Sequence, residues 1–183
     1  MVNVGIIGTG VMGAGHAKFI KEHVTGAQVI GLSDVDLKKA EVLSKDLGTV
    51  LFTTSNPEEL MNDPRVDAVI IASPDPLHVS HLRLAIASKK QILCEKPIAT
   101  TLEDARLIAT EIRTYESAVG KKMINFGFMR RFDPSYQELR RLITTRDFGA
   151  LTFFRTVTRN VSSTGATSTG LFTNIAIHDF DIY

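Results

Sequence analysis

Residues 2–13 read Val2-Asn3-Val4-Gly5-Ile6-Ile7-Gly8-Thr9-Gly10-Val11-Met12-Gly13, a β-branched apolar run that ends in glycines spaced G-x-G-x-x-G. Three glycines alone are a weak signal, because turns of every kind use them. The flanks supply a mechanism: a strand is predicted over 2–8 and a helix over 11–23. In that setting Gly8 permits the tight turn and Gly10 lets backbone approach a pyrophosphate. Gly13 lets the helix lie against the strand. The unpaired N–H groups and positive dipole end of the helix then suit phosphate. The stretch predicts a dinucleotide-binding Rossmann unit. The bland alternative is a glycine-rich turn in an α/β protein that binds no nucleotide.

Outward from there the chain alternates. Strands are predicted over 27–33, 50–53, 68–72, 91–94 and 122–126, and helices over 36–46, 56–61, 76–88 and 101–118. The segment Ala68-Val69-Ile70-Ile71-Ala72 is too short for a helix and apolar on both faces, as a central parallel strand requires. Asn56 with Pro57, and Thr101 with Glu103 and Asp104, are helix-start signals. Such alternation predicts an α/β fold with a doubly wound parallel sheet. Beyond it, a helix is predicted over 134–145 and a strand near 151–159. The tract 162–170 is a polar loop.

Asp34 closes the second predicted strand, near the ~20-residue spacing after the fingerprint expected of a ribose-binding acid. A carboxylate there accepts both adenosine-ribose hydroxyls and repels a 2′-phosphate. Val35 follows, so no arginine stands beside it to welcome that phosphate. NAD is therefore expected, with NADP weaker. The alternative makes Asp34 a helix cap, a task Asp36 is placed to perform itself.

Composition narrows the classes. The 183 residues are 44% hydrophobic and carry 21 basic against 20 acidic side chains, with no block of like charge. No nucleic-acid footprint or polybasic membrane patch is expected. No apolar run approaches the ~18 residues of a spanning helix, and no leader pattern precedes the first strand. With Cys94 the only cysteine, no intrachain disulfide can form, and a soluble, cytoplasmic protein is expected. His78, His81 and Cys94 lack a fourth ligand at zinc spacing, so no metal is expected. Cys94 reads as a packed apolar residue.

Cys94-Glu95-Lys96-Pro97 falls at the carboxyl end of a predicted central strand, the edge where open α/β sheets bind ligands. A lysine there is able to hydrogen-bond a substrate hydroxyl or help move its proton. Taken alone, an adjacent Glu–Lys pair is more often a solvated ion pair, and residue type does not choose between the two.

The fingerprint, Asp34, Ala72-Ser73-Pro74-Asp75-Pro76-Leu77-His78 and Glu95-Lys96-Pro97 follow in order with matching gaps. Together they resemble the glucose-fructose oxidoreductase/inositol dehydrogenase/MocA family. Gly127-Phe128-Met129-Arg130-Arg131-Phe132-Asp133-Pro134 and Arg159-Asn160 are similar to its inositol 2-dehydrogenase branch. Ile177-His178-Asp179-Phe180-Asp181 is similar to its catalytic-histidine motif. The resemblance covers the whole chain. It implies an NAD-dependent oxidoreductase that moves a hydride from a secondary alcohol of a cyclitol or sugar to nicotinamide.

The same resemblance implies the site. His178 matches the general base, Lys96 the residue that polarises the hydroxyl, and Asn174 the position that holds the histidine. Gly8, Gly10, Val11, Met12, Gly13, Asp34, Ser73, Pro74, His78, Glu95 and Lys96 are expected to line the cofactor, with His78 facing its cleft. Lys96, Arg130, Asn160, Asn174 and His178 are expected at the substrate. By residue type alone, Arg130, Arg131 and Asp133 read equally as solvated helix-start charges, and Asn160 as an ordinary loop residue. On an α-helix Asn174, His178 and Asp181 would share one face.

Two departures stand out. The family places an aspartate four residues before the histidine, where this chain has Asn174. An amide holds an imidazole by a hydrogen bond but brings no charge to stabilise imidazolium. The family also continues past this histidine through a large, mostly antiparallel sheet that commonly forms the oligomer interface. The resemblance thus implies a Rossmann domain over 1–127, with 128–183 as the first part of an α+β substrate domain, and a homo-oligomer assembled through that domain. The competing reading is a dinucleotide-binding protein without catalysis: a sensor, scaffold or degenerate paralogue.

Overall fold

The computed structural model describes residues 1–159 and 170–182, except for the side chains of Leu171 and Asn174. The chain divides into two compact units, Met1–Phe126 and Gly127–Tyr183.

In the first unit, strands β1 (Val2–Ile7), β2 (Ala27–Ser33), β3 (Phe52–Thr54), β4 (Ala68–Ile71), β5 (Gln91–Cys94) and β6 (Ile124–Phe126) alternate with helices α1 (Val11–His23), α2 (Leu37–Leu47), α3 (Pro57–Asn62), α4 (His78–Ser88) and α5 (Leu102–Val119). The six strands form one sheet in the order β3-β2-β1-β4-β5-β6, and each paired neighbour is parallel. The order reverses between β1 and β4, which opens a crevice at the carboxyl edge of those strands.

The double winding follows from strand periodicity. Successive side chains point to opposite faces, so Ile6 and Ile7 enter different cores. Val4 and Ile6 join Val29, Leu32 and Ile70 beneath α1 and α2 through Ala17, Ala40 and Leu43. Ile7 joins Ile30, Val69 and Ile71 against α3, α4 and α5 through Leu60, Leu82, Ile108 and Ile112. Both faces are covered, and the central strands therefore carry no polar alternation.

Helix starts behave as their residues dictate. Asn56 accepts the Glu58 amide at 3.0 Å, and Thr101 accepts that of Asp104 at 3.1 Å. Such caps contribute about 1 kcal/mol each. Asp36 is the exception to the expectation above. It stands at the cap position of α2, but its carboxylate makes no cap bond. It faces Lys39 at 3.7 Å instead, while Asp34 takes the Asp36 amide.

In the second unit, Met129–Phe132 forms a 3-10 turn and α6 spans Pro134–Thr145, capped by Asp133, which accepts the Ser135 amide at 2.8 Å. A π-helical turn, Leu171–Ala176, leads into α7 (Ile177–Phe180). Two expectations are corrected here. Residues 151–159 join no ladder. A strand exists only where a neighbour takes up its N–H and C=O groups, and no strand follows β6 among the described residues. The segment holding Asn174 is π-helical and not α-helical. It is bonded i→i+5 where the expectation assumed i→i+4.

Candidate functional site

The fingerprint glycines are not equivalent. Gly8 has φ +89°, and a Cβ there would sit 2.5 Å from the Ala72 carbonyl oxygen. A Cβ on Gly13 would lie 1.8 Å from the Gly8 carbonyl oxygen, so α1 rests on the loop backbone itself. Both glycines are required by the protein's own packing. Gly10 has nothing within 4 Å of its would-be Cβ and an ordinary extended φ of −67°. That open space leaves room for a ligand to approach the backbone there. The first turn of α1 holds no acidic residue and no side-chain cap, while Val11 and Met12 are exposed above it. That arrangement fits a phosphate anion.

Asp34 is fixed from two sides. Its Oδ2 accepts the Thr9 amide at 2.7 Å and the Thr9 hydroxyl at 2.8 Å, and its Oδ1 accepts the Asp36 amide at 2.9 Å. Partial burial pushes this carboxyl upward, but the bonds from Thr9 and Asp36 and the charge of Lys39 outweigh it and hold it below its ordinary value. The carboxylate is thus ionised and oriented beside the glycine loop. Thr9, the residue between the first two glycines, escaped the sequence reading. A hydroxyl at that position was the available signal.

Across the switch point lie the ends of β4 and β5. Ser73 is buried and shares a 2.9 Å hydrogen bond with His81 Nδ1, while Pro74 is exposed. His78 does not face an open cleft as expected. It is 1% exposed, with Nδ1 2.6 Å from the Pro97 carbonyl oxygen and Nε2 2.8 Å from that of Ser73. The first residue of α4 lies under the loops that end β4 and β5, so its ring is spent on backbone.

Glu95 is likewise buried, and its Oε1 meets His16 Nε2 at 2.7 Å. Burial pushes the Glu95 carboxyl up. The His16 hydrogen bond and charge, with the Lys96 amide and ammonium, bring it below its ordinary value. His16 was missed, although it stands one turn after Gly13 on α1. Lys96 follows Glu95 at the same edge, half-buried. Cys94 is fully buried, and burial pushes its thiol well up, as for a packed apolar residue. Among the described residues no three His, Cys, Asp or Glu side chains group as metal ligands.

The second unit gathers the remaining motif residues. Arg130 is ion-paired with Asp179, and Thr158 donates to the same carboxylate at 3.0 Å. Arg131 reaches Asp181 through two bonds, with Nε–Oδ2 at 2.8 Å, and lies 4.8 Å over the Phe128 ring. Phe128 in turn meets the ring of buried His178 edge-on at 6.4 Å. Arg130 and Arg131 therefore brace the segment that carries His178, a use that reading them as solvated or substrate-facing did not foresee. The paired acids Asp179 and Asp181, in His-Asp-Phe-Asp, were the signal. Asn160 and the Asn174 side chain lie outside the described residues.

Comparison with known proteins agrees with this geometry. Residues 2–121 match the Gfo/Idh/MocA model, described as an oxidoreductase family with an NAD-binding Rossmann fold. The chain is 36% identical to inositol 2-dehydrogenase 1 of Saccharopolyspora erythraea, over 99% of its own length and 53% of that protein. It is 38% identical to inositol 2-dehydrogenase of Agrobacterium fabrum, over 100% of its length and 52% of that protein. Among solved structures, myo-inositol dehydrogenase from Lactobacillus casei in complex with NAD(H) and myo-inositol superposes with a TM-score of 0.88 at 32% identity. That match covers all of this chain and 53% of the other. The chain spans about half the length of the curated relatives it matches. With the fingerprint, the acid that ends β2, and a family match over most of its length, the chain belongs to the Gfo/Idh/MocA oxidoreductase family and has its NAD-binding Rossmann fold.

Proposed function

We propose that the protein is an NAD-dependent dehydrogenase that oxidises a secondary alcohol of a cyclitol or sugar, an inositol first among them. The observation that carries this reading is the 36–38% identity, along essentially the whole chain, to relatives named inositol 2-dehydrogenase. Domains are placed at 1–127 for the cofactor and 128–183 for substrate. A homo-oligomer formed through the second unit belongs to the same reading. The cytoplasm is the proposed compartment.

In this reading Gly8, Gly10 and Gly13, with the amides of Val11 and Met12, hold the pyrophosphate, and Asp34 takes the adenosine-ribose hydroxyls. Ser73, Pro74 and Glu95 border the nicotinamide end, and His78 serves that end from beneath. A bound nicotinamide dinucleotide supplies the acceptor for the hydride that leaves the carbinol carbon. Lys96 hydrogen-bonds the hydroxyl oxygen and stabilises it as charge develops. His178 takes the hydroxyl proton, and Asn174 orients that imidazole. Arg130 and Arg131 keep the His178 segment in place through Asp179 and Asp181. Asn160 contacts a substrate hydroxyl.

Asn174 favours a second reading, in which the protein binds the dinucleotide without turnover. Purified protein supplied with NAD and separately with myo-inositol, scyllo-inositol, aldoses and linear polyols separates the two. Formation of NADH with at least one inositol is expected. Tight NAD binding with no oxidation of any substrate would favour the binding-only reading.

A further inference from the structure

Lys96 sits between two residues that are each anchored by a histidine from a different helix. On its amino side, the Glu95 amide donates to the Ile71 carbonyl at 2.9 Å, tying the loop to β4, and the Glu95 carboxylate meets His16 of α1 at 2.7 Å. On its carboxyl side, Pro97 has no N–H, which leaves its carbonyl as its hydrogen-bonding group. That carbonyl is met by His78 of α4 at 2.6 Å. The same imidazole spans to the Ser73 carbonyl at 2.8 Å, so the loops that end β4 and β5 are joined through one ring. Glu95 and His78 are 7% and 1% exposed, which shields both contacts from competing water.

We propose that His16 and His78 are positioning residues that set the place of Lys96 by holding Glu95 and Pro97 on either side of it. The proposal rests on the reading of Lys96 as the residue that polarises the substrate hydroxyl. A ring that only fills space would leave the work of Lys96 unchanged when replaced by another ring. A ring that places Lys96 would not, because small displacements of a reacting group cost far more in rate than in binding. The two imidazoles are separate handles, so each is open to its own test.

The test is a double-mutant cycle on the intact protein. Lys96→Ala alone is expected to lower kcat about 100-fold. His78→Phe, which keeps a ring and removes the imidazole's contacts with the two carbonyl oxygens, is expected to lower kcat about 10- to 100-fold. In the His78→Phe background Lys96→Ala then costs far less than it does alone, a non-additivity of contacting residues. His78→Gln, which retains a donor, recovers part of the loss. His16→Asn carries the same cycle from the other side, and also serves if His78→Phe does not fold. Labelling of Lys96 by an amine reagent, read by mass spectrometry, reports placement without turnover. Its rate changes in His78→Phe, while that of Lys38 on α2 does not. Additive losses with an unchanged Lys96 labelling rate overturn the proposal alone. Full turnover in Lys96→Ala overturns the catalytic reading beneath it, and the proposal with it.

Discussion

Gly13→Ala is expected to abolish measurable NAD(H) binding and to lower the melting temperature steeply. The added methyl would lie 1.8 Å from the Gly8 carbonyl oxygen and 2.9 Å from its carbon, both backbone atoms with no rotamer to yield. Helix α1 must therefore lift from the loop. That movement disturbs the packing of Ala17 under the sheet and the anion site at the helix start. Overpacking of this kind costs about 1–3 kcal/mol or more. Gly10→Ala gives the contrasting result. Its Cβ meets nothing within 4 Å, so the melt should move little while NAD(H) affinity falls. Thermal melts paired with calorimetric titrations of both variants check this. Equal losses of stability in the two would mean that the glycines serve the fold alone.

Asn174→Asp is expected to raise kcat for inositol oxidation, and His178→Ala to lower it by about 10²- to 10⁴-fold. The argument is electrostatic. In the proposed mechanism His178 becomes a cation on taking the hydroxyl proton, and a carboxylate at position 174 would stabilise that cation where an amide would supply only a hydrogen bond. In serine proteases, exchange of the aspartate behind the catalytic histidine for asparagine lowers kcat about 10⁴-fold. That value bounds the gain available here. The gain belongs in kcat, because it arises as charge forms and not when substrate binds. Steady-state kinetics of the native protein and of the Asn174→Asp variant, measured side by side, decide it. If the native protein is already fast and the substitution adds nothing, the amide suffices.

Much of the first unit was legible because its signals are local. Glycine spacing, β-branched runs and cap residues each act within a few positions, and the strands and helices from Val2 to Phe126 follow them closely. What stayed hidden depends on partners distant in sequence. His16 meets Glu95 across 79 positions, and His78 meets Pro97 across 19. Those meetings are created by the crossovers, and no period in the sequence encodes them. The same holds for Asp34. Its position at the end of β2 was readable, but its clasp by Thr9 required the fold. Residues 151–159 have a strand-like composition, yet strand formation is settled by a ladder partner and not by propensity. The π-helical turn at Leu171–Ala176 lies beyond a pattern that assumes 3.6 residues per turn.

Asp34 carries the most direct test of the cofactor assignment. Its carboxyl is held below its ordinary value, so it stays ionised down to more acid pH than a free aspartate, and its preference should persist through neutral and weakly acidic conditions. An ionised carboxylate clasped by Thr9 accepts ribose hydroxyls and repels a 2′-phosphate. The measurement is calorimetric titration of the protein with NADH and with NADPH, repeated on the double variant Asp34→Ser, Val35→Arg. Tighter binding of NADH by the native protein, with the preference moved toward NADPH in the double variant, is the predicted result. Equal or tighter binding of NADPH by the native protein would contradict the account.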